Sequence, residues 1–254
     1  LRSLVGSEMC IRDSSRNCVK CFGKINKTTE NFCVILVTVF SNNVIQNNIR
    51  GSSGYGLKHM KEVYGNFDTV LEDIFDSLDF FDNKGLIDKS NVCIYGASYG
   101  GYASTQAPMM RPDLFKCAVS EAGLYDINAQ YKSGDIRWAR GGKKFLQATF
   151  GDGDEAKKQS PVNYVDKLKT PFMIIHGVKD IRTPYKEAVT FMKELDKKGI
   201  TYEKMIVEKE GHGFSDEENR IETESLLKKS KATVCMGHLE LAGFEAHPGY
   251  SHIN

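Results

Sequence analysis

The sequence predicts an α/β protein: a mostly parallel sheet with helices on both faces. Three observations lead there. Between residues 32 and 230, short apolar runs of strand length alternate with stretches that repeat apolar residues at helical spacing. The strand-like runs are apolar throughout, as strands covered on both faces are. Turn residues such as Gly, Pro and Asn mark their borders, so strand, turn and helix succeed one another as βαβ units.

The elements follow in order. Residues 33–40 are a Val- and Ile-rich apolar run, read as a buried parallel strand. Over 67–81, Phe67, Val70, Leu71, Ile74, Phe75, Leu78 and Phe81 recur at i, i+3, i+4 spacing and predict an amphipathic helix, with Gly85 as its stop. A strand is expected at 92–95, bounded by Asn91 and Gly96, and a helix at 99–110, ended by Pro112. Strands follow at 117–120 and at 172–175, the latter entered from Pro171. A helix over 185–198 sets Ala188, Phe191, Met192 and Leu195 on one face and closes at Gly199. The last pair is a strand at 202–207 and a helix at 217–229. Residues 122–165 are polar and read as an excursion over the carboxyl edge of the sheet, where α/β proteins bind ligands.

Composition bounds the function. The chain has 254 residues, 41% apolar and 26% charged, with a net charge of +1. That balance points to neither nucleic acid nor an anionic membrane as partner. The longest apolar run is far short of the roughly 20 residues a spanning helix needs. Seven cysteines are too few for a disulfide framework. Cys93 and Cys117 lie in apolar strands and read as buried thiols, which favours a reducing compartment such as the cytoplasm. The compartment and the oligomeric state are otherwise not legible.

Both ends stand apart. Residues 1–14 resemble a translated sequencing adapter, around Met9-Cys10-Ile11-Arg12-Asp13-Ser14. Residues 15–31 carry no clear periodicity, so 1–31 are left unassigned. Cys18 and Cys21 form a lone CxxC without the second pair or the βαβ context that a zinc or redox reading requires. Residues 231–254 lose helical periodicity and read as a disordered or out-of-frame tail. They hold His238, His247 and His252, whose spacing matches no metal-ligand pattern. No metal and no organic cofactor is expected.

Gly96-Ala97-Ser98-Tyr99-Gly100 has the form G-x-S-x-G. The string alone is weak, but it follows a short apolar strand and opens a helix. Such a turn exposes a serine hydroxyl at the sheet edge, and the helix N-terminus faces a developing oxyanion. The Tyr99 amide is the expected oxyanion donor. Serine needs a base. Of the histidines before the tail, His59 reads as a surface residue and His176 ends a strand. His212 sits between glycines in the loop after the 202–207 strand and is the expected base. Asp180, after the 172–175 strand, is the acid expected to hold its tautomer. The order Ser98, Asp180, His212 is that of α/β-hydrolases.

On these motifs the chain resembles the catalytic domain of the prolyl oligopeptidase family of serine peptidases. It is most like the bacterial acylaminoacyl-peptidase and dipeptidyl-aminopeptidase branches. The resemblance rests on Asn48-Ile49-Arg50-Gly51-Ser52-Ser53-Gly54-Tyr55-Gly56, on the serine motif extended to Gly101-Tyr102, on His176-Gly177-Val178-Lys179-Asp180-Ile181-Arg182-Thr183-Pro184, and on Glu210-Gly211-His212-Gly213-Phe214. Arg111-Pro112-Asp113-Leu114-Phe115 and Ser160-Pro161-Val162-Asn163-Tyr164 fit as well. It implies an α/β-hydrolase fold over 32–230, with Ser98 as nucleophile, His212 as base and Asp180 as acid. Short peptides are the implied substrates. It further implies that Tyr99, Leu124 and Tyr125 border the substrate pocket. For Arg182 it leaves two roles open, contact with a substrate carbonyl or support of the loop. Trp138 is either a pocket wall or packing, and Tyr55 reads as structural. The His-Gly-Gly-Pro-type segment near the second oxyanion donor, the opening strands and the preceding β-propeller are not found, so an N-terminal truncation is expected. The resulting reading is a serine-type peptidase. Its alternatives are an esterase with the same triad and a non-catalytic fragment.

Overall fold

The structure, a computed structural model, describes residues 9–12, 18–22, 34–38, 44–47, 49–52 and 54–229. Its strands are β1 (Met9–Arg12), β2 (Cys18–Phe22), β3 (Val34–Thr38), β4 (Val44–Asn47), β5 (Val92–Ala97), β6 (Phe115–Glu121), β7 (Phe172–Gly177) and β8 (Glu203–Val207). The helices are α1 (Leu57–Lys61), α2 (Glu72–Asn83), α3 (Tyr99–Met110), α4 (Ile127–Gln130), α5 (Gly142–Phe150), α6 (Asp154–Lys158), α7 (Tyr185–Lys197) and α8 (Glu217–Lys229). The strands form one sheet in the order β2-β1-β4-β3-β5-β6-β7-β8.

The half that carries the site is as the apolar runs predict. β5, β6, β7 and β8 are parallel, joined by crossovers through α3, α4–α6 and α7. Their carboxyl ends therefore lie along one edge, where the loops after β5, β7 and β8 meet. Residues 122–165 form short helices along the β6-to-β7 crossover.

The other half corrects three expectations. β3 pairs antiparallel with both β4 and β5, not parallel. A continuous apolar run reports burial on both faces and carries no information about strand direction. Strands β1, β2 and β4, which the sequence analysis did not place, also stand in the sheet before β5. β1 and β2 fall within the segment left unassigned, and β1 pairs antiparallel with β2 and β4. β1 and β2 mix charged with apolar residues and β4 mixes polar with apolar ones, each over four or five residues, so they give no usable period. Residues 231–254, read as a tail, lie outside the described residues.

The larger core lies between the sheet and the helices α2, α3 and α7. It contains Ile74, Leu78 and Phe81 of α2, Tyr102 and Ala103 of α3, and Phe191 and Leu195 of α7. The helix expected over 67–81 divides into a 3-10 turn, Thr69–Leu71, and α2. The opposite face holds Cys93, Tyr95, Val119, Met173 and Ile175, with Phe214 and Leu226 packed against them. Cys93 and Cys117 are a correction too. They are buried as expected, but they are neighbours in the β5–β6 register and are joined as a disulfide. The argument from free thiols to a reducing compartment falls with it.

Candidate active site

β5 ends at Ala97 and α3 begins at Tyr99, so one residue makes the whole turn. That residue, Ser98, has φ 59° and ψ −115°, a region that L-residues rarely occupy. Local contacts hold it there. Its N–H donates to the Glu121 carbonyl (2.9 Å) and its carbonyl accepts from Tyr102 N (3.0 Å). A Cβ on Gly96 would lie 2.5 Å from the backbone of Gly100, so strand and helix approach this closely only with glycine there. The turn lifts the serine hydroxyl above the strand ends, beside the N-terminus of α3.

His212 reaches it from the loop after β8. Its Nε2 lies 2.9 Å from Ser98 Oγ, and its Nδ1 lies 2.8 Å from Asp180 Oδ2. A carboxylate can only accept, so the proton of the neutral ring sits on Nδ1 and Nε2 is left to accept from the serine. Asp180 is itself fixed. Its Oδ1 accepts from the amides of Arg182 (2.9 Å) and Thr183 (2.8 Å), and its Oδ2 from the Thr183 hydroxyl (2.7 Å). Burial pushes the Asp180 carboxyl up, but the hydrogen bond and charge of His212, with both Thr183 donors, outweigh it and hold the group below the usual carboxylate value.

The loops carrying Asp180 and His212 are tied to each other. Val178 N donates to the Val207 carbonyl (2.9 Å) and Lys179 N to the Glu210 carbonyl (2.8 Å). A Cβ on Gly177 would stand 2.5 Å from the carbonyl oxygens of Glu210 and Gly211, so only glycine permits this approach. The Glu210 side chain closes the histidine loop on its far side. Its carboxylate accepts from the amides of Ser215 (3.0 Å) and Asp216 (2.9 Å) and from Asn219 Nδ2 (2.8 Å). Burial would raise it, but these donors hold its carboxyl below the usual value.

The structure thus brings Ser98, Asp180 and His212 into one hydrogen-bonded line and sets the Tyr99 amide at the start of α3. It does not bring the expected pocket residues to the surface. Tyr125 is fully buried, its hydroxyl 2.9 Å from Ser120 Oγ and its ring stacked on Phe191 at 4.7 Å. Leu124 packs in the same core. The chain turns back after β6 through Ala122, at φ 45°, and folds both side chains under the sheet edge. The Tyr99 ring is buried as well, its hydroxyl donating to the Phe67 carbonyl (2.9 Å). Arg182 stays at the rim, with Nε donating to both Asp135 oxygens (2.7 and 2.9 Å). Trp138 is 75% exposed, with the Arg137 guanidinium 4.1 Å from its ring centroid. His59 is half-buried, with Nε2 3.1 Å from the Ile49 carbonyl. Among the described residues, no three His, Cys, Asp or Glu side chains gather as a metal would require.

Three participants escaped the sequence. Thr183 donates to the acid, Glu210 braces the base, and Glu121 accepts a hydrogen bond from Tyr95 below the serine turn. Glu210 could have been suspected from its place two residues before His212. Thr183 stands inside the 176–184 motif, which shows its place but not its hydroxyl contact with Asp180, and Glu121 leaves no sequence signal, because it acts through a contact 26 positions away.

Known proteins resemble this chain over most of its described length. A profile of the prolyl oligopeptidase family matches residues 35–229. Dipeptidyl peptidase family member 6 of Caenorhabditis elegans is 31% identical over 186 residues, 70% of this chain and 25% of that protein. Dipeptidyl aminopeptidase BIII of Pseudoxanthomonas mexicana is 30% identical over 183 residues, 69% of this chain and 26% of that protein. The solved Pyrococcus horikoshii acylaminoacyl peptidase superposes with a TM-score of 0.64 at 27% identity, over 74% of this chain and 32% of that one. The chain thus spans about a quarter of the length of these two curated relatives.

Proposed function

The chain belongs to the prolyl oligopeptidase family, and on that premise we propose that it is the catalytic portion of a serine-type peptidase acting on short peptides. The observation that carries the reading is the unbroken line from Ser98 Oγ through the His212 ring to Asp180. In the proposed reaction, Ser98 Oγ attacks the scissile carbonyl while His212 Nε2 removes the hydroxyl proton. Asp180 keeps the Nδ1 proton in place and stabilises the imidazolium. The oxyanion develops at the N-terminus of α3, where the Tyr99 amide is the assigned donor. His212 then hands its proton to the leaving amine, the C–N bond breaks, and an acyl-enzyme on Ser98 remains. Water, deprotonated by the same histidine, releases the acid and restores the serine. No step calls for a metal or an organic cofactor. Arg182 is assigned the substrate-facing rim, since its guanidinium is half-exposed while Asp135 fixes its direction.

The test compares a short peptide amide with the matching ester, using folded wild-type chain and Ser98→Ala. The reading predicts serine-dependent turnover of both, with a burst of first product on the ester. Ester turnover without any amide turnover would replace it by the esterase reading, because amide cleavage demands the proton delivered to the leaving nitrogen. A folded chain inert to both would leave a non-catalytic domain.

A further inference from the structure

We propose that Thr183 is a positioning residue for the Asp180–His212 pair, acting through its hydroxyl. The inference rests on the triad reading above. Thr183 is 1% exposed. Its Oγ1 lies 2.7 Å from Asp180 Oδ2, 2.9 Å from the Ala122 carbonyl and 3.3 Å from His212 Nδ1. The hydroxyl has one proton and two candidate acceptors. The carboxylate is both nearer and charged, so it takes the proton. Asp180 Oδ2 therefore receives two donors at once, the Thr183 hydroxyl and His212 Nδ1.

That sharing has two effects. It sets the carboxylate plane, because Oδ1 is held by the Arg182 and Thr183 amides while Oδ2 is held by the hydroxyl. It also draws charge from Oδ2 and so limits how strongly Asp180 pulls on the Nδ1 proton. The backbone of Thr183 does a separate job. Its amide binds Oδ1, and its carbonyl accepts from His176 Nε2 (2.8 Å). Neither contact needs the side chain. Valine, with the same branched shape, keeps the packing and both backbone contacts and removes only the hydroxyl.

The decisive variants are Thr183→Val and Thr183→Ser. The other ionisable groups around the pair stay in place: Glu121 and Tyr95 from β6 and β5, His176 from β7, Glu187 from α7, and Arg182 and Glu210 from the two loops. In Thr183→Val, kcat is expected to fall about tenfold with KM nearly unchanged. The acidic limb of kcat/KM should move to higher pH, because a carboxylate relieved of one donor holds the shared proton more tightly. The proton NMR signal of His212 Nδ1–H should move downfield for the same reason, and this readout needs no turnover. Thr183→Ser should restore all three. Thr183→Val matching wild type, or Thr183→Ser failing as badly, would overturn the proposal, the latter by assigning the effect to the methyl group. Should the valine variant not fold, the contrast between Thr183→Ser and Thr183→Ala decides on the same readouts. A chain inert to substrate would sink the hydrolase reading alone, since the Nδ1–H signal still reports on the hydroxyl.

Discussion

Asp180 is buried, yet its oxygens accept from Arg182 N, Thr183 N, Thr183 Oγ1 and His212 Nδ1. Those donors explain how a desolvated carboxyl stays ionised. They also make Asp180→Asn an informative change. The amide keeps the shape, but one acceptor becomes an NH₂ that favours the wrong imidazole tautomer. A loss of about 10⁴-fold in kcat is expected, as in other Ser-His-Asp triads, and steady-state kinetics on a short peptide would measure it. The folded carboxyl titrates below its unfolded value, so its stabilisation is complete above the ordinary carboxylate range and is lost as pH falls through the folded value. Ser98, Asp180 and His212 were legible in the sequence because each follows its own strand in a segment marked by glycine. Thr183 was visible only as a member of a motif. Its contact with Ala122 spans 61 positions, and no local pattern reports such a contact.

Elements place these residues by letting backbones approach closely. Gly177 is the clearest case, since a Cβ there would run into the carbonyls of Glu210 and Gly211. Gly177→Ala should part the β7 and β8 loops and remove most activity, while costing only about 1–3 kcal/mol of stability. Urea unfolding alongside kinetics separates the two effects. Glu210→Ala strips acceptors from the first turn of α8 and from the histidine loop. A destabilisation of about 2 kcal/mol is expected, with kcat lowered because His212 loses its brace. The bounds of α3 and α8 and the starts of β5 and β7 were readable in the sequence, while both strands run two residues past their apolar runs, to Ala97 and Gly177. The direction of β3 was not, because burial on both faces produces the same apolar run in either sense. The burial of Leu124 and Tyr125 was not legible for a related reason. The positive φ of Ala122 turns the chain back into the core, and an alanine gives no sequence hint of it.

At the scale of the molecule, the four parallel strands β5–β8 act as the rigid frame and the loops at their carboxyl ends carry the chemistry. The frame also holds a carboxyl that opposes stability. Glu187 on α7 is buried, its Oε1 accepting from Gln130 Nε2 (2.8 Å). Burial, then the nearby Asp126 charge, raises its carboxyl well above the ordinary value. A raised carboxyl binds its proton more readily in the folded state, so its contribution to stability declines as pH rises from the unfolded toward the folded value. Glu187→Gln should flatten that decline, which urea midpoints taken across mildly acidic to neutral pH would reveal. The central claim is that Ser98 is a nucleophile activated by His212. Its most direct test is fluorophosphonate labelling of the folded chain, with mass spectrometry to locate the adduct. A single adduct on Ser98, absent from Ser98→Ala and strongly slowed in His212→Ala, is the predicted result. Labelling elsewhere, or at an unchanged rate without His212, would contradict the account.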